Sequence, residues 1–131
     1  MVGRPVSADL SRFPTLSWEW KLENPVTISD LTTKGGDDWA VAVYVTFPYG
    51  LKTATLTEQS LQPVIELAHG PDGPSRMLSY VWGGFDKTVE VVESPFFGGV
   101  NAMIIIRNET DPVGSWIMER VNVVADHKRA F

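Results

Sequence analysis

The sequence contains no cysteine. Disulfide bridges, thiolate nucleophiles and cysteine-ligated zinc are therefore excluded. The absence does not choose a compartment, because many secreted proteins lack cysteine too. Positive charge is also scarce. Eleven Lys and Arg stand against 16 Asp and Glu, giving a net charge of −5 and a sequence pI of about 4.9. A nucleic-acid binder needs a basic patch to displace counterions from phosphates. The run His127-Lys128-Arg129 is too short to supply one. No apolar stretch reaches the ~20 residues of a membrane-spanning helix. The opening residues, MVGRPVSADLSRFP, lack the apolar centre of a secretory signal. As written, the chain is expected in the cytoplasm; with a leader already removed, it is expected in the periplasm or outside the cell.

Internal repeats and low-complexity segments are missing as well. So is any alternation of strand and helix, which excludes a parallel doubly wound sheet. What remains is 131 residues, 44% hydrophobic and 21% charged, enough for one domain spanning residues 1–131 with its own core. Its pattern is dominated by short strands. In TLSWEWKLE, Leu16, Trp18, Trp20 and Leu22 alternate with Ser17, Glu19, Lys21 and Glu23. That is a half-buried strand with one wet face. WAVAVYVTF, residues 39–47, has no charge on either face and reads as a central strand. RMLSYVWGG, TVEVVE, VNAMIIIRN and SWIMERVNVV read as further strands, the last two joined through ETDPVG as a hairpin. TEQSLQPVIELAHG reads as a helix with Ser60 as its cap, Pro63 in its first turn and Gly70 just past its end. ADHKRAF reads as a short helix or extended tail. The class is mainly β: an antiparallel β-sandwich, jelly-roll-like, with one or two short helices.

Four segments, taken in order, resemble an uncharacterised bacterial family, domain-of-unknown-function family 3047. Leu16, Trp18 and Trp20 match its L-x-W-x-W strand. Asp37, Asp38, Val43, Tyr44, Val45 and Phe47 match its D-D step into a Y-V-x-F strand. Tyr80 to Gly83 match Y-V-W-G. Glu119, Arg120, Asn122, Val123, Asp126 and Phe131 match its closing E-R-x-N-V motif. His127 stands where the family has tyrosine, and residues 56–74 match nothing in its pattern. The resemblance also implies that the family's first and last strands are absent here. It implies a sandwich like that of carbohydrate-binding modules and transfers no catalytic residue and no cofactor.

Several residues carry candidate chemistry. Trp18 and Trp20 share a face with two leucines and are read as core, with a sugar-stacking platform as the alternative. Asp37-Asp38 reads as a turn into a strand, because KGGDDW is not a calcium loop. Glu119 and Arg120 point to opposite faces, so one charge faces inward and needs a partner. Arg107, across the expected hairpin, supplies it. Trp18, Trp20, Arg107 and Arg120 are therefore structural, and no metal site is expected. The two histidines, His69 and His127, have no serine elbow to serve. The loop SPFFGG holds adjacent aromatics that cannot both face one side of a strand, which marks a binding loop.

Together these features point to a non-catalytic sandwich domain that binds a small molecule, with carbohydrate as the ligand class. The expected contacts are Phe96, Phe97, Trp82, Tyr80 and Asp38. Two alternatives stand beside it. One is a small hydrolase or isomerase using Glu119 or Asp38 as acid and base. The other is a structural domain that forms homo-oligomers through unpaired sheet edges.

Overall fold

The computed structural model describes residues 3–4, 6–36, 39–48, 55–69, 74–83 and 91–131. Alternation decides the first strand. β1, Thr15–Trp20, buries Trp20 and half-buries Leu16 and Trp18, while Thr15, Ser17 and Glu19 face out. It pairs antiparallel with β6, Ile117–Asn122, from Thr15 opposite Asn122 to Trp20 opposite Ile117. These two strands form a ribbon.

A four-stranded sheet forms the second layer. Its members are β2 (Trp39–Pro48), β3 (Pro74–Gly83), β4 (Val92–Glu93) and β5 (Asn101–Arg107). Their order is β2-β3-β5-β4. Helix α1 (Leu56–His69) lies between β2 and β3 in sequence, and α2 (Val123–Ala130) follows β6. The molecule is mainly β, with the ribbon packed on the sheet, as the sequence pattern indicates.

Four details differ from that pattern. β3 and β5 run parallel, whereas their other neighbours are antiparallel. β5 is apolar on both faces, with Asn101 to Ile104 all buried, so it takes the centre and leaves the edge to two-residue β4. Second, β2 is an edge strand rather than a central one. The uncharged residues on its second face include Ala40 and Thr46, both exposed, and such small side chains lose little in water. Third, β5 and β6 form no hairpin. The connection through Asp111 and Gly114 (φ +91°) crosses from sheet to ribbon. Fourth, α1 begins four residues before Ser60, so Ser60 lies inside the helix and Pro63 stands in its middle. Pro63 cannot donate a backbone hydrogen bond to Gln59, and its ring is exposed. Of the expected TVEVVE strand, residues 88–90 lie outside the described residues, as does Gly70.

The sheet is covered on both sides. Leu78, Tyr80, Ala102 and Ile104 pack against the ribbon and α2, where they meet Leu16, Trp18, Val121 and Val123. On the other face, Val81, Val92 and Met103 pack around Leu31 from the loop that follows β1. Asn122 ends the ribbon and caps α2, its side chain accepting from Ala125 N–H at 3.0 Å. One residue thus fixes the angle at which the helix folds back over β3.

Candidate functional site

Between the ribbon and the sheet lies a ladder of aromatic rings. Trp18 meets Trp20 edge-on at 5.3 Å and Tyr80 at 5.4 Å; Trp20 meets Trp82 at 5.6 Å. These separations are those of favourable aromatic pairs. Tyr80 and Trp82 have no exposed surface. Their faces are occupied by protein and open to no ligand, which corrects their expected role as ligand contacts. The cause is the tryptophan pair of β1, which lies directly on them.

Polar groups close both ends of the ladder. At one end, Glu119 Oε1 accepts from Trp20 Nε1 at 3.0 Å and from Arg107 Nε at 2.7 Å. Arg107 also donates to Asp111 at 3.1 Å, and Asp111 accepts from the Asn108 backbone at 2.8 Å. Glu119 and Asp111 hold the Arg107 guanidinium charge firmly, raising its pKa against the opposing effect of burial. The Arg107–Glu119 pair expected from sequence is present, but it bridges sheet and ribbon instead of two strands of one hairpin. Arg120, the other member of the Glu119-Arg120 dipeptide, faces solvent. At the other end, Tyr80 O–H donates to Asp126 at 2.9 Å, and Arg129 donates to the same carboxylate at 2.6 Å. Burial, then the bond to Asp126, push the Tyr80 phenol well above its usual pKa. The ladder is a sealed wall. Its carboxylates are engaged at both ends, Glu119 by a guanidinium and an indole and Asp126 by a guanidinium and a phenol.

The open space lies beside this wall. A two-stranded ribbon cannot cover a four-stranded sheet, since each strand is only ~4.8 Å wide. Over β2 the inner face is left to the N-terminal segment, and a cleft of about 730 Å³ remains there. Val43, Val45 and Phe47 form its floor, and Leu16 and Val123 one side. Arg4, Val6, Ala8 and Leu10, at every second position, line the other side, with Phe13 at the rim. Arg4 is the only charged residue among the described lining residues. The volume falls within the range of small-molecule sites.

The residues expected to bind ligand do not converge. Phe96 and Phe97 sit in the β4–β5 turn, 52% and 45% exposed. Ser94 Oγ accepts from both of their backbone N–H groups, and Gly99 at φ +79° completes the turn. The Lys34 ammonium lies 5.6 Å from the Phe96 ring centre. Asp38 and Asp37 lie outside the described residues. Among the described residues, no three His, Asp or Glu side chains gather as metal ligands, and no helix is long and apolar enough to cross a membrane.

Sequence reasoning did not find the cleft. The alternation at residues 4, 6, 8 and 10 was its available signal, but Pro5 and Gly3 interrupt any strand pattern there. Nor did it find Trp116, which is 69% exposed and directly precedes β6.

Comparison with known families gives one result. The model of a family described as "Protein of unknown function (DUF3047)" matches residues 1–131, the whole chain. The chain belongs to that family. No curated protein and no solved structure matches it.

Proposed function

We propose that this member of the family is a non-catalytic β-sandwich binding domain whose ligand occupies the cleft over β2. The observation that carries this reading is the cleft itself: 730 Å³ of space beside an interior whose acidic groups are held by partners. An apolar floor gives affinity by burial, and Arg4 at its margin orients the ligand. The acid–base alternative has less support. Glu119 is bound to Arg107 and Trp20 by the same oxygen, which leaves that oxygen engaged as an ion-pair acceptor.

The test is titration with the apolar dye 1-anilinonaphthalene-8-sulfonate, read by its fluorescence. The folded protein takes up about one equivalent, and Phe13→Asp lowers the affinity at least about tenfold, a loss of about 1.4 kcal/mol. Phe13 is 63% exposed, so this change leaves the fold intact. Equal affinity in the variant would remove the cleft as the site.

A carbohydrate ligand is the second reading. The exposed aromatic pair Phe96 and Phe97, on a turn fixed by Ser94, supports it. Homo-oligomerisation through a sheet edge is favoured by β2: a ten-residue uncharged strand at the end of the strand order. Such an edge lacks the charges that usually block pairing. Light scattering showing only monomer at high concentration would dispose of it.

A further inference from the structure

The cleft over β2 has an apolar interior and a charge at its margin. Val43, Val45 and Phe47 share one face of β2 and form the floor, packed against the same core cluster as Leu16. Alternate strand residues are about 6.7 Å apart, so this floor runs for about 13 Å. Tyr44 and Thr46, which alternate with them, turn to the opposite face. There the Tyr44 hydroxyl accepts from Trp39 Nε1 at 3.2 Å, and Thr46 is exposed. Thr15 alternates with Leu16 and faces out. Arg4 is then the polar side chain that the described lining residues bring to the cleft. It is exposed and, among the described residues, forms no ion pair. A second guanidinium stands near the rim, where Arg12 lies 5.5 Å from the centre of the Phe13 ring. Asp9, on the same segment, does not line the cleft; its carboxylate accepts from Ser11 N–H at 3.0 Å and Ser11 Oγ at 2.6 Å.

We propose that the cleft takes a small amphipathic anion: an unbranched aliphatic chain ending in one carboxylate, with the chain along the β2 floor and the carboxylate at Arg4. This rests on the cleft reading above and adds the chemical class of the ligand. The floor rewards methylene groups, each of which tightens binding about fourfold when buried. A sugar gains little there, because its hydroxyls leave water and meet few partners. At the margin the guanidinium offers two parallel N–H donors to a carboxylate and repels an ammonium. The chain's net charge of −5 does not cancel this preference. At physiological salt, exposed charges are screened beyond about 8 Å, so the guanidinium at the cleft margin decides. Because Arg4 is exposed, the head group stays in water while the tail is buried. The tail then supplies most of the affinity and the head sets the orientation.

The experiment is displacement of 1-anilinonaphthalene-8-sulfonate from the full chain, each competitor's dissociation constant being corrected for the affinity of the dye. The competitors are hexanoate, octanoate and decanoate below their micelle concentrations. With them go 1-octanol and octylamine, the uncharged and cationic counterparts of octanoate. Arg4→Ala and Arg4→Lys are run beside the parent, and an unchanged thermal midpoint shows that the fold is kept. Affinity rises about fourfold for each methylene, and octanoate binds more tightly than octylamine. Arg4→Ala weakens octanoate about three- to fivefold, the range of an exposed ion pair, and leaves 1-octanol unchanged. Arg4→Lys recovers part of that loss. Octylamine binding as well as octanoate, or Arg4→Ala weakening octanoate and 1-octanol equally or neither, would overturn the anionic head and keep the cleft as a site. Dye uptake with no displacement by any carboxylate would overturn the ligand class altogether. No dye uptake by the parent would overturn the cleft reading itself.

Discussion

The β1–β6 ribbon holds tryptophan on its inner face, a third tryptophan stands just before β6, and the two settings lead opposite lives. Inward, Trp18 and Trp20 lie on Tyr80 and Trp82, and Trp20 Nε1 donates to Glu119. Outward, Glu19 and Arg120 face solvent, and Trp116, the residue before β6, is 69% exposed. Residue type does not separate them, since tryptophan and glutamate occur in both settings. Partners do. Inside, an aromatic ring finds other rings and each charge finds an opposite one. Outside, Glu19 and Arg120 form no ion pair among the described residues. A buried indole is thus evidence about the core, and its removal is felt there.

The comparison breaks most visibly at the tryptophans. Trp20→Ala removes a 4%-exposed side chain from the ladder and strands the Glu119 carboxylate with one donor fewer. It costs about 3–5 kcal/mol. Trp116→Ala removes the same group from water and costs less than about 0.5 kcal/mol. Urea unfolding followed by far-UV circular dichroism measures both. Similar losses at the two positions would mean that Trp116 is packed, not exposed.

The glutamates give the next largest contrast. Glu119→Ala leaves Arg107, whose side chain is 24% exposed, half-buried with only Asp111 opposite. The expected loss is about 3 kcal/mol, the low end for breaking a buried pair because water reaches the guanidinium. Glu119→Gln keeps the shape and the Trp20 bond and recovers part of it. Glu19→Ala, on the opposite face of the adjacent strand, changes stability by less than about 0.5 kcal/mol. If Glu119→Ala were as mild as Glu19→Ala, the ionic end of the ladder would not be closing the sandwich.

Much of this contrast is legible in the sequence. The alternation of TLSWEWKLE separates Trp18 and Trp20 from Ser17 and Glu19 by period alone, and one inward charge at 119–120 demands a partner such as Arg107. What period cannot give is strand order. Tyr80 and Trp82 look like available aromatics until β1 is known to lie on them, and that depends on pairing between residues about a hundred positions apart. The edge position of β2 and the cleft above it follow from the same long-range fact: two strands are set against four. Trp116 falls at the junction of a turn and a strand, where the pattern assigns no face. Direction of charge was readable; the crossing from sheet to ribbon was not.

The smallest effect sharpens the seal at the other end of the ladder. Tyr80 O–H donates to Asp126 from a site with no solvent exposure, and burial raises its pKa above the ordinary value of 10.0. The sign follows from linkage. Below pH 10 the phenol is protonated in both folded and unfolded chains, and its contribution is fully present. Above pH 10 the unfolded chain releases this proton and the folded chain retains it. Unfolding then gains, and stability falls as pH rises. Tyr80→Phe removes the bond, costing about 1 kcal/mol at neutral pH. It also removes this tyrosine's share of the alkaline decline. Urea midpoints measured from pH 8 to 11 should therefore fall less steeply in the variant, and the two curves should draw together at the alkaline end. Parallel curves would show that the Tyr80 phenol ionises as easily in the folded protein as in the unfolded one, and that the ladder is wet at the α2 end.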